Sequence, residues 1–489
     1  MLNDILNCLL ILVHIAALIV WIIRDIFIKT SSITLYKILA LGAILRMYNA
    51  AFLYLNTWDE RFHALVAKNL INKPFKPTLI DDGLILVPYE NWWCSEIWLA
   101  KPPLALWPVA ASINIFGVNE FGLRLPSILF SLVSIYLTYR ICRKMFDENT
   151  SLLAAFLHSI NGLLIMINSG QLSGDHIETV FIVIVQIAMY VSISYIQTKK
   201  TRHLYLMGML MGLAFLCKYT LAGFILINFG TVLLMLKFKL KDVFAASAII
   251  LTVSAMVVSP WMVWIYHQFP NETNLMFISL YQPVLETIQG HRGNVFYYVY
   301  KSMMHIHEAL PLFLIFAAAI IFKSKLLLQH RDSLIILLSY IVTTFFILTL
   351  AETKREVYMS AVISSMFILC AFCIYSFKEF NLIRKSKTSY IILFYIIFLG
   401  LPIRYCVERI KPFERRLEKP AWRMELEALT QKIDLNNTVL VNEEHYLEAR
   451  FYYDIKAYHV LNDYDLDRIR NKGFTILSRE GSSFIAEEN

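Results

Sequence analysis

The chain has 489 residues, of which 58% are hydrophobic and only 17% charged, and its net charge is +8. Soluble globular chains carry about a quarter charged residues, so this composition excludes an ordinary soluble enzyme. The basic residues sit mainly in short loops between apolar runs, so the positive charge does not point to a nucleic-acid partner.

A bilayer core of roughly 30 Å takes about 20 apolar residues per helix, and backbone groups in lipid must pair within that helix. Spans are predicted at 5–28, 33–54, 121–144, 150–168, 175–196, 203–217, 220–237, 242–266, 309–323, 332–351, 355–377 and 388–406, about twelve in all. The span at 203–217 is the shortest candidate. Residues 1–28 lack a basic leader and a small-residue cleavage site, so they read as a retained helix rather than a signal peptide. Most cysteines fall inside apolar runs and read as small apolar residues, whereas Cys94 lies in a loop.

Lysine and arginine in short loops mark the cytoplasmic side. One set of loops carries Arg24 and Lys29, Arg140 to Lys144, Lys199 to Arg202, Lys237 to Lys241, Lys323 to Arg331, and Lys378 to Lys387. The alternate short loops carry only Lys218, Lys354 and Arg355. This asymmetry predicts that both termini, the long connections near 55–120 and 267–308, and the hydrophilic tail 411–489 lie outside. No domain-sized segment is left for the cytoplasm, and there is no Gly-x-x-x-x-Gly-Lys-Ser/Thr run. Chemistry is therefore expected at the outer face, driven by an already activated substrate. The chain divides into a membrane domain, 1–410, and a small α/β domain, 411–489. In the tail, 422–433 and 443–453 have helical spacing, and 438–441, 457–461 and 474–477 are strand-like. This small domain is assigned a docking or structural role.

Five outer segments carry chemistry in chain order. Asp59 and Glu60 follow the second span, where a carboxylate can take a proton or orient a hydroxyl, although first-turn acids of a helix look the same. Lys101 precedes Pro102 and Pro103, which suit the start of a helix on the membrane surface. Lysine at such a helix end makes an anion site, or simply snorkels to the interface. Asp175, His176 and Glu178 enter an otherwise apolar helix, where ionisable groups are costly. His291 stands between Gly290 and Arg292, ahead of Tyr297 and Tyr298. Lys354, Arg355 and Tyr358 belong to a charged knot between two spans, suited to a lipid phosphate or to a solvated turn. Asp59, Glu60, Asp175 and His176 carry donor atoms for a divalent metal, but no ligand spacing is diagnostic, so no cofactor is assigned.

The run from Arg46 to Asp59-Glu60, the Lys101-Pro102-Pro103-Leu104 segment, and Phe116-Gly117 to Arg124-Leu125-Pro126-Ser127 resemble the polytopic GT-C glycosyltransferases. Gly290-His291 with Tyr297-Tyr298, and Lys354 with Tyr358, continue the pattern, so the likeness covers roughly residues 40–375 in order. Within that group the chain is most similar to the bacterial lipid A aminoarabinose transferase and the protein O-mannosyltransferases. The resemblance implies an α-helical GT-C bundle with juxtamembrane helices on the outer face. It implies a polyprenyl-phosphate-linked sugar donor, and Asp59, Lys101 and Asp175 as the active site with Glu60 beside them. His176, His291, Tyr298, Lys354, Arg355 and Tyr358 are then candidates for substrate binding. The expected acceptor is lipid A or a related envelope glycolipid, or alternatively a protein, at the periplasmic face of a bacterial inner membrane. Two features depart from the family pattern: an additional span precedes the one before Asp59, and the segment 72–98 is long and rich in tryptophan. A secondary transporter or flippase is the rival class, but the halves show no evident repeat and the outer loops are long for one.

Overall fold

The computed structural model describes residues 2–85, 89–91, 95–172, 175–323, 328–376, 388–414, 416–481 and 483–486. Cys94 and Gly174 lie outside the described residues, as does the side chain of Asp175.

Leu2–Phe27 (α1) and Thr34–Asn49 (α2) form the first hairpin. Lys37 closes it on Asp25 at 2.6 Å. Asp59–Leu70 (α3) and Trp107–Phe116 (α4) belong to the long connection before Glu120–Arg143 (α5). Glu148–Ser159 (α6) and Gly162–Asn168 (α7) are one apolar run bent by 53°. The bend sits where the Asn161 side chain caps α7. Asp175–Thr198 (α8), Arg202–Lys218 (α9), Gly223–Met235 (α10) and Leu240–Gln268 (α11) follow. Pro270–Leu285 (α12) and Tyr297–His305 (α13) lead to Leu310–Lys323 (α14), which turns away from α13 by 107°. Arg331–Leu350 (α15), Ile363–Ser376 (α16) and Thr388–Ile410 (α17) complete the bundle.

A helix thus lies over each predicted span. By length and composition, seven described helical segments can cross a membrane, or up to nine if each bent pair is one span. One of the seven, Arg202–Met235, contains a reversal. Lys218 pairs with Glu178 near the start of α8, whereas Phe229 packs on Tyr195 near its end, ring centroids 5.5 Å apart. A helix rises about 1.5 Å per residue, so α10 reaches Tyr195 only by running back alongside α8. Tyr219 makes the turn in a left-handed conformation, φ 44°. The helices α9 and α11 approach closely because Gly208 and Gly212 stand four residues apart. A Cβ at either would lie 2.7 Å from Val253 or Val257.

Among the described residues, the basic loops gather at one end of the bundle; Lys378 to Lys387 lie outside the described residues. Lys144 reaches Gln197, Thr30 reaches Asn149, Asn149 reaches Tyr375, and Ser333 reaches Met145. Lys199 lies over the ring of Phe238 at 3.3 Å. The opposite end carries α3, α4, the 267–308 connection and the tail. Cys370 and Cys373 stand three apart within α16, both buried and unbridged.

The tail comprises Ala421–Thr430 (α18), Thr438–Val441 (β1), Tyr446–Tyr453 (α19), Lys456–Ala457 (β2), Asp463–Asn471 (α20), Thr475–Glu480 (β3) and Ser483–Ala486 (β4). The sheet order is β2-β1-β3-β4, with β1 parallel to β2 and β3, and β4 antiparallel to β3. Strand β2 is shorter than the predicted 457–461. Helix α20 and strand β4 carry no apolar pattern in the sequence, since only Ile469 of α20 is buried. The tail packs on α3. Lys68 donates to the carbonyls of Arg450 and Phe451 at 2.8 and 2.7 Å, capping the end of α19. Asp82 accepts from Arg450 and from the Tyr458 hydroxyl, both at 2.6 Å.

Candidate active site

The site begins at the first turn of α3, where Asp59, Glu60 and Arg61 point about 100° apart around the helix. Glu60 points into the bundle and is fully buried. Arg124 donates to it from Nε at 2.8 Å and from Nη2 at 3.0 Å. The same guanidinium donates to the carbonyls of Ala50 and Phe52, both at 2.8 Å, and of Tyr54 at 2.6 Å. It therefore holds α3 and the 50–54 loop together. Asn56 gives Glu60 two more bonds, at 2.6 and 2.7 Å, and His176 Nε2 lies 3.2 Å away.

Burial alone would raise the Glu60 carboxyl. The Arg124 charge and the hydrogen bonds of His176 and Arg124 outweigh it and hold the group down at about 2. Gly170 closes this nest: its φ is +73°, and a Cβ there would sit 2.3 Å from the Glu60 carboxylate. The sequence reading puts Glu60 and His176 at the substrate. The structure places both in the interior, 0% and 1% exposed, with the Glu60 lone pairs taken by protein donors.

Asp59 faces the other way and is partly exposed. Its charge acts on Lys218 and on Tyr358, and Lys218 also lies within electrostatic range of Lys101 and Arg355. Four segments distant in sequence thus converge on one patch. Lys218 ends α9 with its backbone at φ −148° and ψ 33°, outside helical geometry. It pairs with the buried Glu178, which also accepts from Ser360 at 2.8 Å, and it lies 5.4 Å from the ring centre of Tyr358. Lys101 is partly exposed two residues after Leu99, whose carbonyl accepts from the Tyr219 hydroxyl at 2.9 Å. Next to that bond Ile97, Leu99, Tyr219, Trp261, Ile265 and Met276 form a small separate core. The expected surface helix after Lys101 starts later than the prolines suggest: Pro103–Ala105 is a 3-10 turn, and α4 begins at Trp107.

The segments around His291 and Lys354 are strapped together. Thr353 N donates to Pro283 O and Lys354 N to His291 O, both at 2.9 Å. Arg355 Nη2 reaches Gln289 at 2.8 Å and His291 Nε2 at 3.1 Å. Tyr297 gives its hydroxyl to Glu356 at 3.0 Å. Lys354 is buried, with Nζ 2.6 Å from the Ala351 carbonyl, and Tyr298 is buried with no hydrogen bond at its hydroxyl.

Of the candidate residues, Asp59, Lys101, Arg355 and Tyr358 therefore share one neighbourhood. His291 lies behind Arg355, and Lys354 and Tyr298 support that strap. Asp175 begins α8, one residue before His176 and three before Glu178. Sequence reasoning does not include Lys218 or Arg124 among the site residues. The signal for Lys218 is its place among the few cations of the short outer loops. Among the described residues, no group of three His, Cys, Asp or Glu side chains is placed to hold a metal ion. Glu60, filled by N–H donors, does not fit a metal ligand.

Residues 100–264 match the family model for dolichyl-phosphate-mannose-protein mannosyltransferase. An uncharacterized protein of Aquifex aeolicus is 26% identical over 72% of this chain and 66% of its own length. The undecaprenyl phosphate-alpha-4-amino-4-deoxy-L-arabinose arabinosyl transferase of Pseudomonas paraeruginosa is 26% identical over 33% of this chain and 30% of its own length. The match therefore spans just under two thirds of the first relative and under a third of the second. In structure, ArnT from Cupriavidus metallidurans in the apo state superposes with a TM-score of 0.66 at 13% identity, covering 90% of this chain and 91% of that one. The form bound to undecaprenyl phosphate gives 0.65, over 90% and 88%. The oligosaccharyltransferase of Archaeoglobus fulgidus gives 0.57 at 13% identity, over 92% and 70%. The chain has the GT-C fold. Within this GT-C bundle the convergent patch lies at the end opposite the basic loops of the described residues.

Proposed function

We propose that the chain is an integral-membrane glycosyltransferase that moves a sugar from a polyprenyl-phosphate donor to an acceptor at the periplasmic face of a bacterial inner membrane. One observation carries the reading: Asp59, Lys101 and Arg355, from three separate segments, all lie within electrostatic range of Lys218 on a fourth. The patch suits a reaction in which a lipid phosphate is the leaving group. Negative charge grows on that phosphate as the bond to the anomeric carbon lengthens, and Lys101, Lys218 and Arg355 stabilise it more strongly in the transition state than before it.

The acceptor oxygen attacks the anomeric carbon, the bond from that carbon to the phosphate oxygen breaks, and polyprenyl phosphate leaves with the electron pair. A hydroxyl acceptor gives its proton to Asp59. A phosphate acceptor is already anionic, and Asp59, with Asp175, then orients the acceptor or holds an amino sugar. The Glu60–Arg124 pair fixes the helix that presents Asp59, and Glu178 fixes Lys218.

Lipid A or a related envelope glycolipid is our leading acceptor, with an amino sugar or hexose as the donor sugar. Protein O-mannosylation is favoured by the family model over residues 100–264. Mass spectrometry of lipid A and of envelope proteins from a deletion strain separates the two. In purified full-length protein, Asp59→Asn is expected to lower transfer to a hydroxyl acceptor at least about a hundredfold with unchanged expression. Undiminished transfer would remove Asp59 from catalysis. Turnover of a polyprenyl-linked sugar without an ion gradient would dismiss the transporter class.

A further inference from the structure

Arg355 enters the patch from the connection between α15 and α16, and its guanidinium is held by the connection between α12 and α13. Nη2 donates to Gln289 Oε1 at 2.8 Å and to His291 Nε2 at 3.1 Å. A guanidinium carries donors only, so Nε2 must accept, and the imidazole is neutral with its hydrogen on Nδ1. Burial and the Arg355 charge hold the His291 pKa below the usual histidine value, which favours that state.

The seat is braced on both sides. Glu352 N donates to Val284 O at 3.1 Å, and Thr353 N to Pro283 O and Lys354 N to His291 O at 2.9 Å. The Thr353 hydroxyl accepts from Ile288 N at 2.8 Å and donates to Glu286 O at 2.6 Å. Gln289 and Gly290 take left-handed conformations in succession, φ 49° and 73°, and this turn sets residues 289 and 291 against the same cation. Arg355 is partly exposed, and among the described residues its Nε and Nη1 have no protein acceptor. Two donors of a planar fork are therefore left for an outside anion.

We propose that His291 is a positioning residue: its neutral imidazole, with Gln289, holds Arg355 by one nitrogen and leaves the other two to the phosphate of the donor. The inference rests on the reading of Lys101, Lys218 and Arg355 as the site of that phosphate. An arginine side chain loses much rotamer freedom when it is fixed. A guanidinium seated beforehand has already met that cost, so its full attraction acts on the charge that grows on the leaving group. His291 itself stays behind Arg355 and does not touch the phosphate.

The test measures the Kd for undecaprenyl phosphate with the full-length protein in nanodiscs. Arg355→Ala is expected to weaken binding at least about tenfold, and His291→Phe about fivefold. His291→Gln puts an acceptor oxygen close to the place of Nε2 and should stay within about twofold of the wild type. In the Arg355→Ala background, His291→Phe should bring no further loss, because it acts only through the guanidinium. Matched melting temperatures separate lost binding from lost folding, and His291→Leu replaces the phenylalanine variant if that one does not fold. A folded His291→Phe protein with wild-type affinity, beside a weakened Arg355→Ala, would overturn the positioning role and leave the phosphate reading intact. So would a glutamine variant no better than the phenylalanine one. A loss that persists without Arg355 would make His291 a direct ligand and overturn the role as well. If Arg355→Ala binds as tightly as the wild type, or the wild type ignores the probe, the phosphate reading itself fails and the role built on it falls too.

Discussion

Asp59 and Glu60 are neighbours in sequence with opposite surroundings, one partly exposed and the other fully buried. Glu60 is satisfied by Arg124, 64 residues away, and by Asn56, so it serves the scaffold. Its carboxyl lies near 2 in the folded protein against about 4.5 when free. A depressed folded value contributes stability above the free value, which is lost as pH falls through the folded one. The melting temperature should therefore decline from about pH 4.5 down to about 2. Glu60→Gln strands the buried guanidinium of Arg124 and should destabilise the protein by about 3–5 kcal/mol at neutral pH while flattening that acid limb. Thermal melts across pH in the two proteins measure both effects. The sequence offers Asp59 and Glu60 as equals because a partner that far along the chain leaves no local pattern. Arg124 is visible there only as part of a motif.

At the level of elements, close approach and handedness are the constraints. Gly170→Ala places a methyl group in the Glu60 carboxylate at a left-handed position, and should cost about 2–4 kcal/mol. A Cβ at Gly230 would meet no atom within 4 Å, so Gly230→Ala is the matched control and should leave the melting temperature unchanged. The apolar spans are legible in the sequence because lipid demands long unbroken apolar helices. The turn between α9 and α10 is legible from a lone lysine in an apolar stretch. Helix α20 is not, because nearly all of it faces water and apolar periodicity is the only strong signal a short helix gives. Gly208 and Gly212 signal that α9 packs closely on some neighbour, yet the identity of that neighbour, α11, is fixed only by packing.

The whole molecule separates basic loops at one end from the candidate site at the other. With the orientation proposed above, Arg292→Cys should react with a membrane-impermeant maleimide in intact cells and Lys200→Cys only after permeabilisation, since both positions are accessible. The reverse pattern would remove the periplasmic site. The tail is the other whole-molecule feature. Its role as a docked unit is legible, because a short α/β segment after the last span has too little core to stand alone. Its target, α3, is not, since Lys68 and Arg450 lie 382 residues apart. Deleting residues 416–489 should leave a membrane-inserted bundle with less than about a tenth of the transfer activity, measured in membranes at matched expression. That docking also sets a timetable. The helix presenting Asp59 is translated well before the tail groups that meet it, since Arg450 and Phe451 follow Lys68 by 382 and 383 residues. Maturation must await synthesis of α19, and stop codons ahead of it should yield inserted, inert protein.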